Sequence, residues 1–531
     1  MKNQFLIIAA FILLISILLS QTDLVALSDW MAASVAPIAA TIKGIVLTTI
    51  PFGASNVPIV LILLICAASY FTIYFKWINF TKFKLAIQIV RGHHQPNKEP
   101  TTTDNLKTIQ ADHIEGEVTH FQALTSAISA TVGLGNIAGV AIAISIGGPG
   151  ATLWMIIAGI MGMASKFTEC TLSVRYREVV PPKEQHTDQR SKTAGGPMYY
   201  LSKGLSERGW PTIGKAFGIF YAVMCVGGSL GGGNMFQANQ ATSLFLETFQ
   251  VESTAAGILF GLTLSMLVAL VIIGGIQRIG KITERIVPAM CGLYLLSALL
   301  IIGLNITLVP KAIGQILLGA FSPDAALGGI IGVLVVGFQR AAFSNEAGVG
   351  SAAIAHSAAR TAYPASEGIV ALLEPFIDTV VVCTVTALVI VLYNMNGHFD
   401  YGNVVSDMVL IEGNRVGGAA LTALAFEEVL PGFSYVLSIS VLLFAFSTML
   451  AWSYYGMTSW QYLFGRGRLS TLIYQLLFCF FVILGSVCSL TAVLDFSDAM
   501  VFAMVFPNII GLVLLAPIVK EELDRFLATI N

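Results

Sequence analysis

Charge is what this chain has least of. Only 11% of its 531 residues are Asp, Glu, Lys or Arg, while 56% are hydrophobic. Soluble domains carry about a quarter charged residues, so the deficit excludes a soluble enzyme, and a disordered chain would need far fewer apolar groups. The signs nearly cancel, 28 Lys and Arg against 30 Asp and Glu, which leaves no basic surplus to hold nucleic acid. Cysteine pairing signals are missing too. Cys66, Cys170, Cys225, Cys291, Cys383, Cys479 and Cys488 lie in or beside apolar runs with no CxxC or CxxH spacing, so a disulfide framework or metal site is not indicated and small packing residues are. The 7 histidines form no ligand cluster. No HExxH motif falls in the apolar runs, which argues against an intramembrane metalloprotease.

What the chain does have is long hydrophobic runs. Roughly 20 apolar residues cross a bilayer as a helix, and such runs lie near 57–75, 121–146, 149–174, 216–245, 255–275, 286–308, 326–350, 367–393, 432–455, 470–492 and 498–519. Strands of a membrane barrel would alternate over about ten residues instead. The expected fold class is therefore an all-α polytopic membrane protein. The run Phe5 to Leu19 is shorter and follows Lys2. Residues 1–20 read either as a cleaved signal peptide or as a short extra helix, with no A-x-A cleavage pattern after them. Residues 21–56, with Pro37 and Lys43, are expected at the extracytoplasmic surface.

Basic residues orient these spans, because cytoplasmic loops collect Lys and Arg. If 76–120 is cytoplasmic, alternation places 175–215, 276–285, 355–366, 456–469 and the tail 520–531 there as well. Almost all the Lys and Arg then fall on that side, Lys166 at a span's end among them, and only Lys43, Lys311 and Arg415 face the other.

Two spans carry polar residues and glycine at the expected midplane. The first reads Thr125-Ser-Ala-Ile-Ser-Ala-Thr-Val-Gly-Leu-Gly-Asn-Ile-Ala-Gly139; the second ends Gly337-Phe-Gln-Arg-Ala-Ala-Phe-Ser-Asn-Glu-Ala-Gly-Val-Gly-Ser351. Glycine weakens a helix and lets its backbone face a ligand. One such segment could be a small-residue packing seam. Two of them, opening two sets of five helices (121–308 and 326–519), form the pattern of an inverted-repeat transporter, whose unwound helix ends receive a carboxylate and whose free carbonyls receive a cation. Asn234, Gln237 and Asn239 add amides near this depth. Ser447 and Thr448 either back-bond within their helix or offer a hard-oxygen site suited to Na⁺. Trp452 reads as core packing or as a pocket wall. Glu346, Asp378 and Arg340 are intramembrane ionisable groups and so functional candidates; the alternative reading is a structural ion pair of Arg340 with Glu346 or Asp378, and an acid at this depth leaves H⁺ coupling open.

The runs Thr131–Gly139, Gly147-Gly-Pro-Gly150, Gly195-Gly-Pro-Met-Tyr-Tyr200, Phe343-Ser-Asn-Glu-Ala-Gly-Val-Gly-Ser351, Ile377-Asp-Thr379 and Phe446-Ser-Thr448 resemble those of the alanine/glycine:cation symporters. The match runs from about 57 to 519. That family is similar to LeuT-type transporters, which implies a 5+5 inverted-repeat bundle with discontinuous first and sixth core helices and one helix, 57–75, in front. It also implies Na⁺-coupled uptake of alanine, glycine, D-alanine or serine across a prokaryotic plasma membrane, the inner one in a Gram-negative cell, with Na⁺ as coupling ion and no other cofactor.

Carried over position by position, the resemblance assigns the substrate carboxylate to Thr131, Gly133, Gly135 and Asn136. Phe343 and Ser344 in the second break, with Gln237, would face the amino group and side chain, and Trp452 would cap a small pocket. Na⁺ would sit at the Ser129 and Val132 carbonyls and the Ser447 and Thr448 hydroxyls. Ala341, Ala353 and Glu374-Pro375 depart from the family's usual pattern. The alternatives kept open are an H⁺-coupled carrier of another small zwitterion, an intramembrane enzyme, and a channel, which would more naturally show repeated pore motifs with rings of charge.

Overall fold

The computed structural model describes residues 40–52, 55–93, 116–180, 192–251, 254–322 and 329–530, with positions 7, 8, 10, 12 and 37 besides. The expectation for residues 1–20, most of the segment 21–39 and the loop 94–115 lie outside the described residues. A short antiparallel hairpin, Thr49–Phe52 with Ser55–Pro58, leads into helix α1, Ile59–Tyr74.

The first set of five helices opens on α2, His120–Thr131. Its start is fixed by a reciprocal cap: the Thr119 hydroxyl accepts from Gln122 N, and the Gln122 side chain accepts from Thr119 N. Its end is fixed by Val132, whose ψ of 87° turns the backbone out of the helix. A wide π-helical turn, Gly135–Gly139, then leads into α3, Val140–Gly147, bent 49° from α2. The set continues with α4, Ala151–Arg175, then α5, Pro211–Leu230, which passes through a second π-helical turn, Gly231–Met235, into α6, Phe236–Thr248. It closes with α7, Thr254–Ile272, and α8, Gly275–Leu304.

The second set opens on α9, Gly329–Asn345, followed by irregular backbone and a short turn of helix, Ala353–His356. The next crossing is α10, Pro364–Ala371, a third π-helical turn, Phe376–Cys383, and α11, Thr384–Tyr393. A short helix, α12, Ala419–Glu427, precedes α13, Phe433–Phe464; α14, Arg468–Gly485, and α15, Leu490–Leu527, complete the bundle. Among the described residues, eight helices are long and apolar enough to cross a membrane, and the bent α2–α3 pair makes a ninth; α1 and α9 are shorter, at 16 and 17 residues. The protein is an all-α polytopic membrane bundle. Five crossings, an odd number, turn the second set over relative to the first.

Burial explains how a broken helix survives at this depth. Every residue from Ala123 to Ser145 is buried, so the non-helical stretch meets protein rather than lipid, as backbone without helical hydrogen bonds requires. Its wrapping comes from α8 and α13 against α2, and from α9, α12 and α11 against the turn and α3. The lipid-facing surface lies elsewhere: Leu296, Leu299, Leu300 and Leu304 of α8 are all more than half exposed.

Candidate functional site

The site is assembled from the two discontinuous helices and the three π-helical turns. Such turns displace backbone from the regular ladder and recur at functional sites. The first contains Asn136, the third contains Asp378, and the second supplies the Gly232 carbonyl that accepts from Gln237 Nε2 at 2.9 Å.

Asp378 is fully buried and lies between the first break and the last turn of α9. Asn136 Nδ2 donates to its Oδ1 at 2.6 Å and to its backbone carbonyl at 3.1 Å. Ser344 Oγ donates to Oδ2 at 3.0 Å and Thr379 Oγ1 to the same oxygen at 2.6 Å. No basic side chain pairs with this carboxyl among the described residues. Asn136 also ties the break internally, accepting from Gly133 N at 2.9 Å through its Oδ1. Gly135 sits against Ser344, where a Cβ would lie 3.3 Å from the serine Cα. The expected site residues Gly133, Gly135, Asn136 and Ser344 thus come together round Asp378, which the sequence marks as an intramembrane functional candidate without placing it among the solute or cation ligands.

Gly133 faces a second cluster as well. A Cβ there would meet Thr448 Oγ1 at 2.4 Å and Gln237 Oε1 at 3.4 Å, and Gln237 Oε1 accepts from Leu134 N at 3.3 Å. Helices α2 and α13 are clasped reciprocally at this level: Ser129 Oγ donates to the Ser447 carbonyl at 2.7 Å, and Thr448 Oγ1 donates to the Ser129 carbonyl at 2.9 Å. Thr448 Oγ1 and the Ser129 carbonyl therefore lie as two adjacent hard oxygens, donors that suit a hard cation rather than a soft metal. Ser447 behaves differently, donating to Phe444 O at 3.0 Å and approaching Met290 Sδ at 3.4 Å. Val132 marks the point where the backbone leaves the helix. Thr131 stays in α2, its hydroxyl directed at the Ala127 carbonyl, 3.3 Å away.

The third cluster holds the aromatic groups. The Trp452 indole runs along the glycine-rich second π-helical turn, close enough that a Cβ on Gly233 would fall 2.1 Å from its Cγ. Its Nε1 donates to Glu346 Oε1 at 3.0 Å. Phe343 lies across the same turn, within 3.6 Å of a Cβ placed on Gly232, with Phe236 edge-on at 5.5 Å.

Several expectations need correction. Phe343 and Ser344 are not in the second break but in the last turn of α9, which stays helical to Asn345; the left-handed residue that ends it is Glu346, φ 56°. Arg340 pairs with neither Glu346 nor Asp378: its guanidinium meets Asp498 of α15, joined there by Gln339 Nε2 at 3.2 Å, and lies 5.5 Å from the Phe343 ring centre. One turn before the break, Arg340 points to the neighbouring helix rather than down its own. Of the three amides singled out on α5–α6, only Gln237 reaches the first break. Asn234 donates to Phe478 O at 2.8 Å and Asn239 to Gly485 O at 3.2 Å, both holding α14, and Asn239 also donates to Cys488 O just beyond it at 2.6 Å. Gly227-Gly-Ser-Leu-Gly231 has the GxSxG spacing of some hydrolases, but Ser229 Oγ donates to Val226 O at 2.7 Å and stands 3.0 Å from the Tyr474 hydroxyl, a packing arrangement without a base.

Lys166 lies fully buried, with Nζ 3.0 Å from Glu374 Oε1. Glu374, one of the departures from the family pattern, extends this cluster to His356, whose Nε2 is 3.6 Å away. His356 Nδ1 in turn lies 2.6 Å from Glu367 Oε1, and His120 approaches the other oxygen of Glu367. On the opposite side of the site, a cavity of about 910 Å³ is lined by Gln240, Glu412, Arg415 and Glu427 among others. Gln240 is one turn beyond Gln237, and its side-chain oxygen accepts from Ala419 N at 3.0 Å, joining α6 to the start of α12. Thr422 of α12 donates to the Ile137 carbonyl at 3.2 Å, so α12 rests directly on the first break.

Residues 42–531 match the family model described as the sodium:alanine symporter family. The chain is 36% identical to the sodium/alanine symporter AgcS of Methanococcus maripaludis over 88% of its own length and 94% of the relative's. It is 31% identical to the probable sodium/glutamine symporter GlnT of Bacillus subtilis, over 88% of this chain and 87% of that one. Among solved structures, MhsT in complex with L-phenylalanine aligns with 77% of this chain and 99% of its own, at 12% identity and a TM-score of 0.47.

Proposed function

Because the chain belongs to the sodium:alanine symporter family, and is therefore a membrane transporter for amino acids rather than an enzyme, we propose that it carries a small neutral amino acid inward together with Na⁺. The observation that supports this most directly is Asp378, a buried carboxyl between the two discontinuous helices whose described partners are all neutral donors. A carboxylate in a low-dielectric interior is costly without a counter-charge. A cation arriving with the solute supplies that charge, and its departure restores the imbalance.

The parts then divide as follows. The backbone of the first break, near Gly133 and Gly135, meets the solute carboxylate, with the side chain of Asn136 fixing the loop that presents it. Gln237, Ser344 and Phe343 face the remainder of the solute, and Trp452 limits its size. Thr448 and the Ser129 carbonyl offer a further cation position on the other face of Gly133. The solute-facing substrate class we favour is alanine and glycine, with serine and D-alanine at the margin. The end of the bundle carrying His120, Arg175 and the tail faces the cytoplasm of a prokaryotic cell.

H⁺ remains the competing coupling ion, since a proton would neutralise Asp378 as well. Uptake of labelled alanine into proteoliposomes, driven by a Na⁺ gradient or by a proton gradient alone, decides between them. Accumulation that requires Na⁺ and persists when the proton gradient is collapsed is the expected result. Accumulation driven by protons in the absence of Na⁺ would overturn the Na⁺ reading, and no alanine uptake under either gradient would overturn the solute.

A further inference from the structure

Helices commonly end on a residue in left-handed conformation, and glycine is the usual one because it has no Cβ to strain. At the end of α9 that residue is Glu346, with φ 56°. Gly348 and Gly350, two and four residues on, take positive φ values of 88° and 87° in the ordinary way. A non-glycine residue held in this region points to a side chain with a task. Glu346 is only 3% exposed, and both its oxygens are engaged: Trp452 Nε1 donates to one at 3.0 Å, and Ser351 Oγ to the other.

We propose that Glu346 is the positioning residue that sets solute size selectivity, by holding the Trp452 indole against the glycine wall of the second π-helical turn. Trp452 is on α13 and Glu346 ends α9, so the hydrogen bond ties the pocket's side wall to the second discontinuous helix. Phe343, on the same last turn of α9, lies against the neighbouring glycine, Gly232. The distance between the two aromatic rings is thereby set by one carboxylate. Without it the indole keeps its apolar packing but loses the only directional contact its N–H makes among the described residues, and it can rotate away from the solute. The proposal rests on the reading that Trp452 lines the solute site.

Two variants separate positioning from charge. Glu346→Gly suits the backbone conformation and removes the acceptor without straining the turn. Glu346→Gln keeps an acceptor oxygen and removes the charge. Competition of labelled alanine uptake by serine, valine and leucine is measured for both, for Trp452→Phe, and for the double variant Glu346→Gly with Trp452→Phe. The expected result is that Glu346→Gly and Trp452→Phe each strengthen competition by valine about tenfold, the scale of one or two methylenes in a tight pocket. The double variant goes no further, and Glu346→Gln keeps the wild-type order. Uptake lowered in Glu346→Gly with an unchanged competition order, additive effects in the double variant, or a Glu346→Gln that behaves like Glu346→Gly would each overturn the proposal. Tryptophan emission gives a readout that needs no transported solute. The contribution of Trp452, taken as wild type minus Trp452→Phe, should shift in Glu346→Gly and hold in Glu346→Gln. If the emission behaves so while Trp452→Phe leaves competition unaltered, the placement of the solute fails and the positioning contact stands; an unshifted emission sinks the contact itself.

Discussion

Glu367, Glu374 and Asp378 lie within one crossing, Pro364–Asn396, all fully buried. The two glutamates are held by cations or groups that become cations: Lys166 and His356 for Glu374, His356 and His120 for Glu367. Asp378, one turn further along, has an amide and two hydroxyls instead. A charge whose partner is built into the fold is neutralised permanently and locks the elements that carry it, here α2, α4 and the segment after α9. Asp378, at the first break and with neutral donors only, has its geometry fixed and its charge left for something that comes and goes. The first arrangement is architecture; the second can couple.

The comparison breaks first at Lys166. Replacing it by Ala leaves Glu374 buried without its lysine, which costs roughly 3–5 kcal/mol, a large share of a typical stability of about 5–15 kcal/mol. Lys166→Ala should therefore fail as folded protein, seen as loss of the monodisperse peak after detergent extraction. The paired change Lys166→Met with Glu374→Leu should recover much of it, because no buried charge is then stranded. Normal recovery of Lys166→Ala would mean that the pair is not structural. Asp378→Asn is the counterpart. It keeps the shape and removes the charge, so extraction should look like wild type while cation-dependent uptake falls to background. A variant that still concentrates alanine with wild-type cation dependence would remove Asp378 from the coupling.

Thr448→Ala sharpens the contrast with a smaller effect. The residue loses one hydrogen bond to the Ser129 carbonyl and one candidate oxygen for the cation, but little volume. A single hydrogen bond is worth about 1 kcal/mol, or about a fivefold change in an equilibrium. The Na⁺ concentration for half-maximal uptake should rise by about that factor, with Thr448→Ser close to wild type. Ser447→Ala should move it less, since that hydroxyl is spent on Phe444 O within its own helix. Equal shifts from both positions would mean that the hydroxyls act through packing.

The difference between these groups was only partly legible in the sequence. Glycine beside polar residues at mid-span announced both discontinuities, because little else tolerates unwound backbone in a bilayer. The 5+5 order followed from counting apolar runs. The exact turn at which α9 ends was not legible, since Phe343 and Ser344 have the same neighbours in sequence whether they sit in helix or loop, and tertiary packing decides. Partners were the least legible. Asp378 meets Asn136 across 242 positions and Arg340 meets Asp498 across 158, and no local pattern records either pairing. Lys166 reads along the chain as a basic residue closing a span on the cytoplasmic side; only the packing of α4 against α10 shows it buried against Glu374.

Glu427 extends the comparison into water. It too is held by neutral donors, Gly432 N at 2.6 Å and Ser434 N at 2.8 Å, where it caps the start of α13. These backbone hydrogen bonds, Gly432 first, hold its carboxyl below the usual glutamate range. Solvent supplies what Asp378 lacks, so the charge here needs no visiting cation and the contact is worth little. A lowered folded-state value means the ionised form favours folding: the contribution is complete above the unfolded value of about 4.3 and fades as pH falls through the folded one. Glu427→Gln should therefore lower the melting temperature slightly between pH 6 and 8, by the least of the changes described, and the gap from wild type should close on acidification. Uptake and its Na⁺ dependence should not change. A gap that stays constant down to pH 3 would mean that the Glu427 charge does not stabilise the fold, and a changed coupling-ion requirement would mean that exposure to solvent does not take this carboxylate out of the coupling.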